Sequence, residues 1–303
     1  MTGDDNERTG WHITRAQEGE GSEELDMDAP AETPTPSRSS RLITFLTDFG
    51  LAWGPVGICH AVMHDITPDA RITDISHGIP PFDVRAGAWV LASALPYTPV
   101  SVHLAVVDPG VGTDRLPLAL LCERGDVLVG PDNGLLVPAA ERLGGLVEAR
   151  RIANEDLMRH PVSSTFHGRD VFAPTAANLA AGVPFEEVGP AVDRSVLVPA
   201  PWRRPEYEDR RARGEAVLLD NFGNIRTNLE TRKWPLQPGS RVRVRTSAGS
   251  AELGVARTFG EVGRGELFVY EDSSDYICVA MNLGSAGNAL GVRPGDTLEL
   301  DRQ

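Results

Sequence analysis

Short apolar runs, each followed by a polar turn, constrain the fold of this 303-residue chain more than any other feature. The clearest are Leu42–Leu46 before Thr47–Gly50, Ala70–Thr73 before Asp74–His77, Val102–Val107 before Asp108, and Val127–Val129 before Gly130–Gly134. Helix-like stretches such as 56–66 and 86–95 lie between them. Short apolar strands that alternate with helices are typical of an α/β domain with a mainly parallel sheet covered by helices.

Polar side chains follow several of these predicted strands. Asp48, Asp108, Asp132 and Asn133 each stand where an apolar run ends. Because ligands bind beyond the carboxyl ends of the strands in such sheets, we expect these side chains to share one functional edge. A further helix is predicted over about 171–181, with its N-terminus directed at an anion near His167.

The hydrophobic periodicity changes to two after residue 215. Alternating or clustered apolar residues at 216–219, 241–245, 266–270, 276–280 and 297–300 predict strands separated by Gly, Asp, Ser and Asn. We therefore expect a small antiparallel β-barrel domain over 215–303. The preceding 197–214 are rich in proline and charge and are interpreted as a linker, which leaves 41–196 as the N-terminal α/β domain.

Charge is concentrated at the N-terminus. Residues 1–40 contain ten acidic residues and three arginines, and the whole chain has a formal charge of −14. So polar a stretch is predicted to be a disordered acidic tail. The negative charge argues against nucleic acid or an anionic membrane as partner, no stretch is apolar enough to span a bilayer, and we expect a cytoplasmic protein.

Cysteine and metal chemistry is not suggested. Cys59, Cys122 and Cys278 are far apart in apolar segments and are predicted to be buried thiols. Asp74 and His77 stand three residues apart, but one carboxylate and one imidazole fall short of a ligand set. We therefore expect neither a metal nor another cofactor.

Two motifs supply an acid, a guanidinium and an imidazole beside glycine-rich backbone. Asp108 and Arg115 stand seven residues apart around Pro109-Gly110-Val111-Gly112, and His167 follows about fifty residues later within Thr165–Asp170. Histidine is the usual general acid or base near neutral pH. This set is suited to a small anion or an activated water.

Two other polar segments have ligand-binding character. Asp48 lies in Thr47–Gly50, which resembles the Asp-Phe-Gly motif of protein kinases, but no other kinase motif accompanies it. An aspartate at a strand end is instead suited to the hydroxyls of a ribose. Asp220–Asn228 places an aromatic ring, amides and a glycine in one turn, which either binds a base or only connects two strands.

Eight motifs occur in the order found in one enzyme family. They are Thr47–Gly50, Asp74–His77, Pro81–Ala88, Val106–Thr113, Gly130–Leu136, Thr165–Asp170, Asp220–Asn224 and Asn282–Ala286. Together they resemble the S-adenosyl-L-methionine (SAM) hydroxide adenosyltransferases, the adenosine-forming SAM hydrolases that are related to fluorinase and chlorinase. The resemblance extends from about residue 41 to the C-terminus.

The resemblance implies an α/β domain followed by a β-barrel domain, and a homotrimer with its sites between subunits. The implied reaction is attack of water or hydroxide on the ribose C5′ of SAM, which releases adenosine and L-methionine. The water-activating set falls on Asp108, Arg115 and His167. The substrate-binding positions implied are Asp48 for the ribose, Phe82 beside the sugar, and Phe222, Asn224, Asn282 and Leu283 around the adenine.

Two alternatives remain at this point. A halogenase resembles the chain across both domains, but halogenases carry tyrosine and threonine-type residues in place of Asp108 and His167, and a carboxylate would repel halide. The other alternative is a catalytically silent protein that binds adenosine or SAM. It is kept open by Trp53, which stands where family members usually have an acidic residue that holds the methionine amino group.

Overall fold

A seven-stranded sheet forms the first half of the fold in the computed structural model, which describes residues 41–303. The predicted acidic tail, 1–40, lies outside the described residues. The strands are β1 (Leu42–Thr47), β2 (Arg71–Ser76), β3 (Val102–Val106), β4 (Pro117–Cys122), β5 (Val127–Pro131), β6 (Leu146–Arg151) and β7 (Ala191–Val192). Their order across the sheet is β2-β1-β3-β5-β4-β6-β7.

The sheet is mainly parallel, as predicted. β1 pairs in parallel with β2 and β3, and β3 pairs in parallel with β5. β4 is antiparallel to both β5 and β6, so that β6 again runs in the direction of β5, and β7 is antiparallel to β6. A short turn joins β4 to β5, and such a turn permits only antiparallel pairing.

Helices cover both faces of this sheet. The helices are α1 (Pro55–Ile66), α2 (Val84–Ala94), α3 (Val137–Arg142) and α4 (Ala173–Ala181). α1 and α4 pack together over one face, where Met63 and Ala176 join the side chains of Ile43 and Phe45. α2 and α3 cover the other face. The carboxyl ends of β1, β3 and β5 lead into Asp48, Asp108 and Asp132, at the edge where ligands bind in such sheets.

The second half of the fold is a closed β-barrel. Its strands are β8 (Glu206–Tyr207), β9 (Arg211–Leu219), β10 (Ile225–Glu230), β11 (Arg241–Thr246), β12 (Gly249–Val255), β13 (Leu267–Glu271), β14 (Tyr276–Met281) and β15 (Thr297–Arg302), with helix α5 (Ala286–Leu290) before β15. Strands β10-β14-β13-β12-β11-β15-β9 follow one another, and β9 pairs back to β10, which closes seven strands. β8 adds to the outer edge of β9.

The barrel and the segment before it differ from the sequence-based prediction in three details. β12 and β13 pair in parallel, whereas the other strand pairs of the barrel are antiparallel. The predicted turn over 220–228 ends at Asn224, because β10 begins at Ile225. The range predicted as a linker, 197–214, contains β8 and the first residues of β9.

A partly buried ion pair joins the barrel to helix α2 of the α/β domain. Arg85 of α2 donates from Nη1 to Oε2 of Glu215 in β9 at 2.6 Å, and the backbone N–H of Arg203 donates to Oε1 at 3.2 Å. Glu215 is buried. This ion pair fixes α2 against the barrel.

Other sequence-based predictions concern thiols and membrane spans. Cys59, Cys122 and Cys278 are free and buried, as predicted. Burial raises the pKa of the Cys59 thiol to about 12, which keeps it protonated at neutral pH. No helix within residues 41–303 combines the length and apolar character needed to cross a bilayer.

Candidate active site

Asp108 and Arg115 form a bidentate ion pair just beyond the carboxyl end of β3. Arg115 donates from Nε to Oδ1 of Asp108 at 3.1 Å and from Nη2 to Oδ2. The side chain of Arg115 is only 7% exposed, and that of Asp108 only 6%. Such a pair orients the carboxylate through two charge-assisted hydrogen bonds.

His167 joins the same guanidinium. Nη2 of Arg115 lies 3.1 Å from Nδ1 of His167. Because a guanidinium nitrogen only donates, Nδ1 must accept, and the neutral imidazole carries its proton on Nε2. Burial and the positive charge of Arg115 lower the pKa of His167, which agrees with this neutral tautomer.

The third nitrogen of Arg115, Nη1, has no hydrogen-bond partner among the described residues. Nη1 is buried, and no acceptor among residues 41–303 takes its hydrogen bonds. The guanidinium also lies over the ring of Phe172, 5.1 Å from the centroid, which fixes its plane. A buried donor without an acceptor is costly, so Nη1 is suited to hold an oxygen ligand at this point.

Glycine allows the Asp108 loop to approach the loop that precedes His167. Gly112 has φ of +77°, and a Cβ at that position would lie 2.6 Å from the carbonyl oxygen of Ser164. No larger residue fits there without moving backbone. Asn133 supports the loop from β5 by donating from Nδ2 to the carbonyl of Val107 at 2.8 Å.

Asp170 stabilises the segment that carries His167. It is fully buried and accepts from Nε and Nη2 of Arg169, at 2.6 and 2.7 Å, and from the backbone N–H of Ser163 at 2.9 Å. Burial alone would raise the pKa of Asp170, but these hydrogen bonds more than offset it, and the pKa is lowered. The carboxylate thus ties both ends of the 163–169 segment together.

Phe49, in the turn after β1, contacts the segment that carries His167. A Cβ on Gly168 would lie 3.0 Å from the ring of Phe49, and the rings of Phe49 and Phe166 meet edge to face with centroids 5.8 Å apart. His167 is followed by a π-helical turn, Gly168–Phe172, that leads into α4. The Thr47–Gly50 and Thr165–Asp170 motifs are therefore in direct contact.

Asp48 and Phe82 contact each other at the neighbouring edge. The backbone N–H of Phe82 donates to Oδ2 of Asp48 at 2.8 Å. Phe82 has φ of +66°, an uncommon conformation for a non-glycine residue, and its side chain is exposed. Asp48 thus stabilises the turn that presents the Phe82 ring, while Oδ1 remains available to a ligand.

The predicted adenine-binding residues of the barrel gather around Asp220. Its carboxylate accepts from the backbone N–H groups of Phe222 and Asn224, each at 3.0 Å, and from Nδ2 of Asn224 at 2.9 Å. Oδ1 of Asn224 is buried and has no hydrogen-bond partner within residues 41–303. The Phe222 ring is exposed. One amide oxygen and one ring face are thereby offered to a ligand.

Asn282 and Leu283 lie on the adjoining turn. Gly223 packs against Ser285 so closely that a Cβ would lie 2.3 Å from Ser285 Oγ, which brings the two barrel motifs together. Asn282 uses its amide N–H, its carbonyl and its side-chain Nδ2 within the barrel. Leu283, with φ of +57°, has an exposed side chain. The exposed side chain of Leu283 is available to a ligand, and the side-chain Oδ1 of Asn282 takes no part in these three hydrogen bonds.

The two groups of predicted site residues lie in separate halves of the described part of the chain. No hydrogen bond or ion pair of the described part of the chain links Asp108, Arg115 or His167 to the residues around Phe222 and Leu283. Leu51 and Trp53, on the loop after β1, are both 79% exposed. Each half of the candidate site therefore carries uncovered apolar side chains.

A separate cleft lies between the sheet and the barrel of one chain. Its volume is about 1250 Å³, and Trp89, Trp202, Tyr207 and Tyr276 form its aromatic walls. None of the sequence-predicted site residues lines it. Charged and buried side chains converge instead at Asp108, Arg115 and His167, as is typical of functional sites.

Sequence reasoning missed the supporting residues of the site. Asp170, Phe49 and Asp220 lie within the motifs named above, but their contacts do not follow from the sequence. The usable signal for Asp170 was an arginine followed by an acid at the start of a predicted helix. Asp220 stands two residues before Phe222 in a turn, where aspartate commonly accepts from the backbone.

Comparison with known proteins gives the family. The model of the SAM hydroxide adenosyltransferase N-terminal domain matches residues 43–189, and that of the C-terminal domain matches 214–299. An (R)-S-adenosyl-L-methionine hydrolase of Salinispora tropica is 49% identical over 85% of this chain and 97% of its own length. One of Thermus thermophilus is 40% identical over 86% of this chain and 99% of its own length.

A more distant relative and a solved structure agree with this family assignment. A fluorinase of Nocardia brasiliensis is 26% identical over 86% of this chain and 96% of its own length. The solved structure of an uncharacterized conserved protein from Thermotoga maritima is 40% identical and has a TM-score of 0.79, over 86% of this chain and all of that one. The fold and the resemblance drawn from the eight motifs are confirmed, and the chain belongs to the SAM hydroxide adenosyltransferase family.

Proposed function

We propose that this protein hydrolyses S-adenosyl-L-methionine to adenosine and L-methionine. The observation that carries the proposal is the convergence of Asp108, Arg115 and His167 in a chain whose near relatives are named SAM hydrolases. Those relatives are named for the (R) epimer at sulfur, and we extend the proposal to that epimer.

The chemistry requires positioning more than acid catalysis. The sulfonium departs as a neutral thioether, so no proton has to be delivered to the leaving group. The protein must hold a water or hydroxide in line with the C5′–S bond and stabilise its negative charge. Nη1 of Arg115, buried and without a partner among the described residues, supplies the donor for that oxygen.

The tautomer of His167 supports Asp108 as the proton acceptor. Nδ1 accepts from Arg115, so Nε2 carries a proton and donates to a lone pair of the nucleophile. The proton of the attacking water then passes to Asp108, whose oxygens can each accept a second hydrogen bond beside Arg115. His167 orients the nucleophile and Asp108 acts as the base.

The remaining residues hold the substrate. Asp48 accepts from a ribose hydroxyl through the oxygen not used by Phe82, whose ring lies beside the sugar. In the barrel, Phe222 stacks on the adenine and Oδ1 of Asn224 accepts from its amino group. Leu283 adds an apolar wall. No metal or other cofactor takes part in this proposal.

We propose a homotrimer in which a neighbouring barrel completes each site. The support is that one chain leaves Trp53 and Phe82 of the α/β half, and Phe222 and Leu283 of the barrel, exposed and unconnected. Light scattering should give three times the chain mass of 32.6 kDa. Co-expression of Asp108→Asn and Phe222→Ala chains should restore activity that neither variant has alone, whereas sites within single chains would give no restoration.

A halogenase is disfavoured by the carboxylate of Asp108 beside the nucleophile position. Incubation of the full-length protein with each SAM epimer, with and without chloride or fluoride, tests the assignment by chromatography. Adenosine and L-methionine in all mixtures support the hydrolase. A 5′-halo-5′-deoxyadenosine would indicate a halogenase, and retained SAM binding without product would indicate a silent binding protein. Cytoplasmic location stays a prediction from the sequence.

A further inference from the structure

Three ligand-type side chains converge beside the β1 loop, outside the Asp108 cluster. His60 comes from α1, Asp74 from β2 and His77 from the turn after β2, and one potential ligand atom of each lies within 4.8 Å of the others. Nε2 of His60 is 2.8 Å and Nε2 of His77 is 3.1 Å from Oδ1 of Asp74. Sequence reasoning saw only the Asp74 and His77 pair, because His60 is 14 residues away on a helix.

His77 has an unsatisfied nitrogen that points into this cluster. Its side chain is 2% exposed, and Nε2 makes no hydrogen bond within the described part of the chain. The Asp74 oxygen is near enough, at 3.1 Å, but does not lie in the direction of an N–H bond. A buried ring nitrogen without a hydrogen bond needs another partner.

The other nitrogen of the His77 ring is already held. Nδ1 lies 2.8 Å from Oγ1 of the buried Thr47, which also accepts from the backbone N–H of Phe49 at 3.1 Å. If Nδ1 donates to Thr47, the lone pair of Nε2 faces the carboxylate of Asp74. Two electron-rich groups at that distance repel each other unless a cation lies between them. Metal-bound histidines characteristically donate their other ring N–H to such an acceptor.

We propose that His60, Asp74 and His77 bind one divalent transition-metal ion, with Zn²⁺ as the best match. Two imidazoles and one carboxylate are a ligand set that suits Zn²⁺ and leaves a coordination position open. Ligand atoms around a tetrahedral Zn²⁺ are about 3.3 Å apart for bonds of 2.0–2.1 Å. The separations of 2.8 and 3.1 Å reach that value with small side-chain movements.

The ion would stabilise the loop that carries Asp48. The carbonyl of His77 accepts from the N–H of Gly50 at 2.8 Å, and its ring contacts Thr47. Metal binding at His77 therefore connects α1 and β2 to both ends of Thr47–Gly50. The proposal rests on the cluster geometry alone and is independent of the reaction catalysed.

The test uses untagged full-length protein from which metal has been removed with a chelator. Co²⁺, which gives visible absorption bands when bound by histidine and carboxylate, is titrated first, and Zn²⁺ is then added to displace it. The variants are His60→Gln and Asp74→Asn. The control is His64→Gln, since His64 is an exposed histidine one turn later on the same helix.

Wild type and His64→Gln should each bind one equivalent of Co²⁺ and show a higher thermal midpoint with Zn²⁺. His60→Gln and Asp74→Asn should bind at least about 10-fold more weakly, as expected for lost metal contacts. The metal-free midpoint of His60→Gln shows whether that variant is folded, since His60 is partly exposed. Absence of Co²⁺ bands in the wild type, or equal affinity in folded His60→Gln, would mean that the cluster is only hydrogen-bonded.

Discussion

Arg115 donates to both carboxylate oxygens of Asp108, from Nε at 3.1 Å and from Nη2. The two side chains are almost fully buried, so water does not compete for these bonds. The same Nη2 meets His167, while Nη1 remains without a partner in the described residues. The Arg115 guanidinium thus orients the Asp108 carboxylate, selects the tautomer of neutral His167 and leaves Nη1 as a hydrogen-bond donor for a ligand.

Asp108→Asn should abolish most turnover. Asparagine keeps the shape but cannot accept a proton, and general-base contributions are about 10²–10⁴-fold in rate. We expect kcat for adenosine formation to fall within that range. Asp114→Asn is the matched control, because Asp114 is an exposed acid of the same loop, and it should retain wild-type kcat. Asp108→Asn turnover within threefold of wild type would remove Asp108 from the mechanism.

Arg115→Gln should raise the pKa of His167. Burial and the positive charge of Arg115 lower this pKa, whereas the charge of Asp108 raises it, so removing the guanidinium removes one of the two lowering effects and leaves burial alone to oppose the carboxylate. NMR titration of the imidazole resonances measures the change directly. The pKa should increase in the variant, and an unchanged or lower value would show that Arg115 does not set the charge state of His167.

Activity should persist below the ordinary titration range of histidine. The active form of His167 is neutral, and its folded pKa lies below the usual value of 6.5. kcat/KM should therefore be maintained at pH 6.5 and fall only as the pH drops through the lowered pKa. A pH profile of kcat/KM checks this, with the NMR titration identifying the group. An acid limb centred at or above 6.5 would contradict the neutral tautomer.

Asp170→Asn should weaken both the fold and the reaction. Asparagine offers one acceptor oxygen in place of two at this fully buried position and points amide N–H groups towards the donors of Arg169 and Ser163, at a cost of about 1–3 kcal/mol in the free energy of unfolding. The thermal midpoint should fall, and kcat should fall with it because His167 loses its support. Asp156→Asn, at an exposed acid, should change neither. A stable Asp170→Asn protein with full kcat would show that the 163–169 segment is positioned by other contacts.

The strands that carry the site were predictable because their apolar runs are uninterrupted. β1, β3 and β5 begin within one residue of the predicted runs, and the polar residues after them lie at one edge. The direction of β4 was not predictable from its composition, because Leu118–Cys122 is as apolar as a parallel strand. Only the short turn to β5 requires it to run antiparallel.

The contacts within the site were predictable only in part. Family motifs singled out Asp108, Arg115 and His167, and the structure brings them together. The roles of Asp170 and His60 could not be read from the chain, because burial and the approach of α1 to β2 are tertiary facts. Likewise, hydrogen bonds that occupy Asn282 depend on the strand pairing of the barrel.

The most direct test of the proposed hydrolysis is the fate of water oxygen. Full-length protein is incubated with SAM in ¹⁸O-labelled water, and adenosine and L-methionine are analysed by mass spectrometry. Attack of water on C5′ predicts one ¹⁸O in the 5′-hydroxyl of adenosine and none incorporated into L-methionine. Adenosine without the label, or a nucleoside product other than adenosine, would contradict the account.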